Sequence, residues 1–427
     1  MKTLDQIAAE LQGYDPHAMT ADQVGAFLAE LVEPVTHTET VGVADTLGRV
    51  LAEDVISPVS VPPHDNSAMD GYAFAGAVLS PAYETRLRVV GTAYAGAAWR
   101  GDCGVGECVK IMTGAVMPAG LDTVVPLEFV RDTGSEIVFA AGTVQTGDNR
   151  RRLGEDLMAG QPALRQGERI GPAAMGLLAS LGISTVAVRR RIRVAYFSTG
   201  DEILSLGELP REGAVYDSNR YTVRGLLTRL GAEMIDMGVV RDDPETLQRA
   251  FALAASSADA VITSGGVSVG EADHTKRIMR SLGDVAFWRI AMRPGRPMAV
   301  GRMSGHQGRQ AVLFGLPGNP VAVMVTFLAF VRPALLHMMG ATPSPPVCLK
   351  ARSVQALRKK PGRTEYQRGR VSTDAHGGLQ VALTGNQGSG VLRSMVEANG
   401  LIVLHHDQAD VAPGDEVDVL MFDGVLS

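Results

Sequence analysis

The chain has 427 residues, too many for one ordinary hydrophobic core, so two to four domains are expected. Hydrophobic residues at 45% and charged residues at 20% exclude wholesale disorder, and a formal charge of −6 with 5% aromatics excludes the basic, aromatic-studded face of a nucleic-acid binder. Three cysteines (Cys103, Cys108, Cys348), none in a C-x2-C pair, exclude a disulfide framework and a cysteine zinc site.

Residues 1–10 include acids and no apolar stretch, so no secretory signal is expected and the chain is placed in the cytoplasm. Thr20 and Gln23 have capping-box spacing, and Val24, Phe27, Leu28, Leu31 and Val32 form one helical face that Pro34 ends. From 59 to 150 short Val-rich runs (87–90, 109–112, 123–127, 137–140) alternate with Gly and Pro, which reads as a β-rich domain. A mixed segment follows, with an apolar stretch over 173–181.

From 192 the pattern becomes strand–helix alternation. Strands are expected over 192–197, 234–240, 258–262 and 312–316. Helices are expected from about Arg220, stopped by Gly231, from the Asp243 cap and Pro244, and from near His274. The run 321–331 is 11 residues, short of the ~20 a membrane span needs, and reads as a buried helix. Such alternation predicts a doubly wound parallel sheet over 191–342. The linker 343–346 (PSPP) then introduces a second β domain over 343–427.

Polar residues gather just after the strands. Asp201, Glu202, Asp242 and Asp273 all fall there, and parallel strands deliver their C-terminal ends to one ligand-binding edge. Glycines 200, 265, 266, 270 and 318 share those loops, where backbone N–H groups can face anionic oxygens. Carboxylates beside a phosphate site repel the phosphate unless a cation lies between them, so a Mg2+-assisted site is expected. Arg289, Arg293 and Arg296, with Arg150, Arg151 and Arg152, supply planar donors for phosphate-like oxyanions. The nine histidines show no zinc spacing, and neither a nucleophile elbow nor a Gly-x4-Gly-Lys-Ser/Thr loop is present.

A set of ordered motifs gives a family resemblance. They are 63–73 (PHDNSAMDGYA), 111–115 (IMTGA), 154–156 (GED), 198–202 (STGDE), 216–219 (YDSN), 264–270 (SGGVSVG), 315–320 (GLPGNP) and 398–401 (ANGL). Together they resemble the molybdopterin molybdenumtransferases, the family of MoeA and the gephyrin E domain. The resemblance implies a multidomain α/β chain: domain I over 1–58 and 151–190, domain II over 59–150, domain III over 191–342 and domain IV over 343–427. It implies molybdenum insertion into adenylylated molybdopterin with release of AMP, molybdate as substrate, and a homodimer whose site is shared between domain III of one subunit and domain II of the other.

Carried onto these positions, the resemblance gives Glu202, Asp242 and Asp273 as metal-holding acids. Asp70, Thr113 and Asp156 join them as catalytic positions. Ser198, Thr199, Gly200, Ser264, Gly265, Gly266, Ser268, Arg289, Arg293, Arg151, Pro317 and Pro320 become ligand-binding positions. Arg289 and Arg293 stand where the family commonly has lysine. A molybdopterin adenylyltransferase is the expected pathway partner; neither nucleic acid nor a membrane is expected as one. Two other functions share parts of the pattern: the adenylyltransferase reaction itself, through the Ser-Gly-Gly loop, and a non-catalytic pterin- or peptide-binding scaffold.

Overall fold

The computed structural model describes residues 2–266 and 273–422. The chain divides into two compact units: Met1–Glu53, Gly167–Met175 and Thr185–Ser427 form one, and Asp54–Gln166 with Gly176–Ser184 the other.

The larger unit opens with α1 (Leu4–Glu10) and α2 (Ala21–Leu31). The expected capping box is present: Thr20 Oγ1 accepts from the Gln23 N–H at 3.2 Å, and Gln23 Oε1 accepts from the Thr20 N–H at 2.9 Å. Val24, Phe27, Leu28 and Leu31 are buried, so the spacing read from the sequence is the core face.

Strand–helix alternation follows in β1 (Arg193–Thr199), α3 (Ser218–Leu230), β2 (Glu233–Val240), α4 (Pro244–Ser257), β3 (Ala260–Ser264) and α5 (Asp273–Leu282). It continues with β4 (Gly283–Arg289), β5 (Pro297–Ser304), β6 (Gln310–Leu316) and α6 (Pro320–Met338). Gly231 ends α3 in a left-handed conformation, and the Asp243 side chain caps α4 ahead of Pro244, both as expected. The sheet order is β2-β1-β3-β6-β5-β4. The first four strands are parallel; β5 and β4 add an antiparallel edge, because short turns join β4 to β5 and β5 to β6.

Residues along β1 alternate between two cores. Val194 and Tyr196 pack with α3 and α6, whereas Ala195 and Phe197 pack with α4 and α5. Each fully buried Val, Leu or Phe contributes about 1.5–3 kcal/mol, which fixes the strand register and hence the position of every strand end. α6 has the length and hydropathy of a membrane span, but 61% of it is buried, and its residues lie in the first of these cores. It runs past Pro333 because the ladder already widens into a π turn at Phe327–Val331, leaving Pro333 near the start of the next α segment.

At the N-terminal ends of the parallel strands Asp259 joins β1 to β3. Its carboxylate takes both Arg190 terminal nitrogens at 2.7 and 2.8 Å and the Arg193 N–H at 2.7 Å. Burial pushes this carboxyl up, but the Arg190 and Arg193 donors more than offset that and leave it below its ordinary value of 3.8. Asp259→Ala is expected to lower unfolding stability by about 2–4 kcal/mol, read from the urea midpoint at pH 7. The folded carboxyl titrates lower than the unfolded one. Its contribution is therefore full above 3.8 and disappears as pH falls through the folded value, closing the gap between variant and wild type.

The C-terminal part of this unit has five strands that close into a ring, since Thr364–Thr373 pairs with both Leu379–Leu383 and Gly400–Leu404 and the circuit runs on through Cys348–Ser353 and Glu416–Met421. A short strand, Met292–Arg293, runs parallel to Thr364–Glu365 and ties the β4–β5 turn to this barrel.

The smaller unit holds another six-stranded sheet, ordered Thr123–Pro126, Gly71–Phe74, Glu107–Ile111, Thr85–Ala93, Glu136–Phe139 and Arg131–Asp132. Tyr72 and Phe74 face one core and Ala73 the other, so the β-rich reading of the Val-rich runs holds strand by strand.

Candidate active site

Beyond the C-terminal ends of β1, β3 and β6 lies an open cleft of about 1150 Å³. Three strand-end loops form its floor, and their glycines allow a close approach. Gly265 has φ +98°, and a Cβ there would stand 2.5 Å from the Thr199 carbonyl oxygen. At Gly200, with φ +138°, a Cβ would stand 2.5 Å from Glu202 Oε2, so the missing side chain gives the Glu202 carboxylate its place. The Gly265 N–H donates to Leu316 O at 3.1 Å; its role is to shape the loop rather than to face an anion.

Asn219, near the start of α3, ties these ends together. Its Nδ2 donates to Ser264 Oγ at 2.7 Å and to Gly318 O at 2.7 Å. Tyr196 Oη and Ser198 Oγ, 2.8 Å apart, continue the polar layer under the floor. Burial pushes the Tyr196 phenol well above its ordinary value, so it stays neutral.

Glu202 and Asp242 are exposed acids after adjacent strands, and both line the cleft. Asp242 Oδ1 accepts from Thr275 Oγ1 at 3.3 Å. The opposing wall is basic: Arg293, Arg296 and Arg363 line it, together with Gln387 and Ser389 of the barrel. Behind that wall, Arg368 is 1% exposed and donates to Ser394 Oγ, Asn386 O and Gly388 O at 3.0–3.3 Å. Burial, with Arg293 nearby, pulls Arg368 down to about 10, which leaves it charged at neutral pH. The Asn386 and Gly388 carbonyls thus point at a buried cation.

Among the expected residues, Ser198, Thr199, Gly200, Glu202, Asp242, Ser264, Gly265, Gly266, Arg293, Pro317 and Pro320 meet in this cleft. Ser268 and the Asp273 side chain lie outside the described residues; the Asp273 backbone opens α5. Arg289 does not line the cleft. It ends β4 beside the buried Trp288, so the pleat turns its side chain outward before the turn that carries Arg293 and Arg296.

Asp70, Thr113, Arg151 and Asp156 belong to the smaller unit. There Asp70 Oδ1 accepts from the Thr113 N–H at 2.7 Å and from Thr113 Oγ1 at 2.8 Å, which holds its carboxyl below the ordinary value. Arg151 pairs with Asn66, and the Asp156 N–H donates to Val61 O at 3.1 Å. Three motifs distant in sequence are therefore neighbours.

Sequence reasoning missed Arg363, Gln387 and Ser389, and gave Tyr216, Asp217 and Asn219 no role. One signal was available: Pro-Gly-Arg occurs twice, at 294–296 and 361–363, and the flanking strands pair.

The acids suit a magnesium ion. Mg2+ takes oxygen ligands, retains waters, and is commonly held by one or two carboxylates plus substrate phosphate oxygens. Among the described residues no group of three or more His, Cys, Asp or Glu is gathered for a metal, and the carboxylates that fit such an ion are those of Glu202 and Asp242, which both line the cleft.

A glycine-floored cleft at parallel strand ends, lined by acids and arginines, defines an α/β domain with a cleft suited to anionic ligands. Comparison with known proteins is specific. Residues 19–182 match "MoeA N-terminal region (domain I and II)", 195–337 match "Probable molybdopterin binding domain" and 350–422 match "MoeA C-terminal region (domain IV)". A molybdopterin molybdenumtransferase of Haemophilus influenzae is 38% identical over 96% of this chain and 100% of its own length. One from Bacillus subtilis is 33% identical over 90% of each. The crystal structure of a molybdopterin biosynthesis MoeA protein from Pyrococcus horikoshii has a TM-score of 0.79 at 26% identity, covering 95% of this chain and 100% of that one. The chain belongs to the molybdopterin molybdenumtransferase family.

Proposed function

We propose that this chain inserts molybdenum from molybdate into adenylylated molybdopterin and releases AMP, as a transferase of molybdenum-cofactor synthesis. The observation that carries this reading is the pairing of Glu202 and Asp242 with Arg293, Arg296 and Arg363 around one cleft. Arginine forks bind tetrahedral oxyanions through paired N–H donors, so the basic wall holds molybdate and phosphate oxygens. Glu202 and Asp242 hold Mg2+, which supplies positive charge against the pyrophosphate-like linkage. The chain's own contribution is position and fixed charge, with no protein nucleophile. The protein works in the cytoplasm as a homodimer, the Asp70–Thr113 pair serves the same reaction, and a molybdopterin adenylyltransferase supplies the substrate.

Purified protein with adenylylated molybdopterin, molybdate and Mg2+ is expected to release AMP and yield cofactor that activates an apo-molybdoenzyme. EDTA should stop AMP release and added Mg2+ should restore it. If neither AMP nor active cofactor forms, the reading is wrong.

A further inference from the structure

The cleft is lined by polar and small residues together with Ile203, Val215, Met292 and prolines 294, 297, 317 and 320. Tyr216 is the one aromatic residue among the described residues that line it. Tyr216 is 44% exposed, and its hydroxyl donates to Glu208 O at 2.9 Å, which holds one end of the ring in place. Ile203 and Val215, paired with each other in register, line the cleft beside it. A half-exposed tyrosine flanked by aliphatic residues in this cleft offers a face to a flat ligand. Such rings stack on planar heterocycles whatever their substituents.

The same segment carries a second sign of a ligand. Asp217 and Asn219 are 4% and 8% exposed, and both line the cleft. Asp217 Oδ1 accepts from the Arg220 N–H as the α3 cap, whereas Oδ2 is buried with no donor among the described residues. Because Asn219 Nδ2 faces a carbonyl and Ser264, its Oδ1 orientation is fixed, and that oxygen also lacks a donor. Buried acceptors left unmatched are costly and call for an explanation. A heterocycle with amino and ring N–H groups along its edge is a matching donor.

We infer that Tyr216 is the stacking face for the heterocycle of the substrate, with the Asp217–Asn219 acceptors reading its N–H edge. The inference rests on the molybdopterin reading for the identity of the ring: adenylylated molybdopterin carries two flat rings of this chemistry, a pterin and an adenine. Tyr216 then fixes where the ring lies, and the arginine wall fixes where the oxyanions lie.

The test measures equilibrium binding of 6-carboxypterin, AMP and molybdate to wild type, Tyr216→Leu and Tyr216→Phe. Loss of the ring in Tyr216→Leu is expected to weaken 6-carboxypterin, AMP or both by about 5- to 100-fold. Molybdate binding should stay within about 3-fold, and Tyr216→Phe should recover most of the loss because the face is kept. Weakening of 6-carboxypterin alone assigns the pterin, and weakening of AMP alone assigns the adenine. The inference is overturned if neither ring ligand binds wild type, if neither weakens in Tyr216→Leu, or if molybdate weakens in parallel. Failure of wild type to release AMP from adenylylated molybdopterin strikes the functional reading alone, because ring binding is measured separately.

Discussion

Glu202→Gln is expected to lower kcat/KM for AMP release by about 10²- to 10³-fold while the protein unfolds at the wild-type urea concentration. Glutamine keeps the shape that fits over Gly200 but removes the charge that balances a cation in the cleft. Glu202 is exposed, so the substitution breaks no core contact, and surface changes of this kind usually stay within about 0.5 kcal/mol. Glu202→Ala should behave like Glu202→Gln, since both delete the charge. A raised Mg2+ requirement in Glu202→Gln would add that the carboxylate acts through the metal. Full turnover by Glu202→Gln, or a loss only as large as the fraction unfolded, would refute the charge argument.

Much of the frame behind this prediction was legible because local chemistry and tertiary structure agree. The Thr20–Gln23 box, the Gly231 stop and the Asp243–Pro244 start are set by backbone groups within a few residues, and each stands where the sequence puts it. Glu202 and Asp242 were legible as a pair for a related reason. Parallel strands bring their C-terminal ends to one edge, so placing the strands places the acids. Arg289 and Arg296 show where that logic stops. They are seven positions apart in a segment with no periodic signal. Only the β4–β5 pairing reveals that Arg289 turns outward while Arg296 reaches the cleft. Arg363 and Ser389 were illegible because closure of the C-terminal barrel depends on pairing between Thr364–Thr373 and Gly400–Leu404, a long-range choice that spacing does not encode. Tyr216 was visible as part of a motif, but its role depends on which neighbours are absent from a cleft, and only coordinates show that.

Gly265→Ala should be the most damaging small substitution in the cleft floor, costing about 3 kcal/mol or more of stability and at least about 10²-fold in turnover. Its φ of +98° is expensive for any residue with a Cβ, by about 1–2 kcal/mol. The added carbon would also stand 2.5 Å from the Thr199 carbonyl oxygen and 3.0 Å from Thr199 Oγ1. That carbonyl is backbone, and it cannot retreat easily, because Ser198 and Ser264 are registered partners of neighbouring strands. Relief therefore means prising the ends of β1 and β3 apart, which displaces the loops carrying Glu202 and Ser264. Gly318→Ala is the matched control. It lies in the same cleft, has no positive φ, and a Cβ there would meet nothing within 4 Å. Its stability should be unchanged or raised by up to about 1 kcal/mol, because alanine restricts the unfolded chain. Urea midpoints of the two variants decide the matter: equal stability in both would mean that the Ser264–Gly266 turn yields freely, and a yielding turn cannot hold acids and arginines at fixed positions around a substrate.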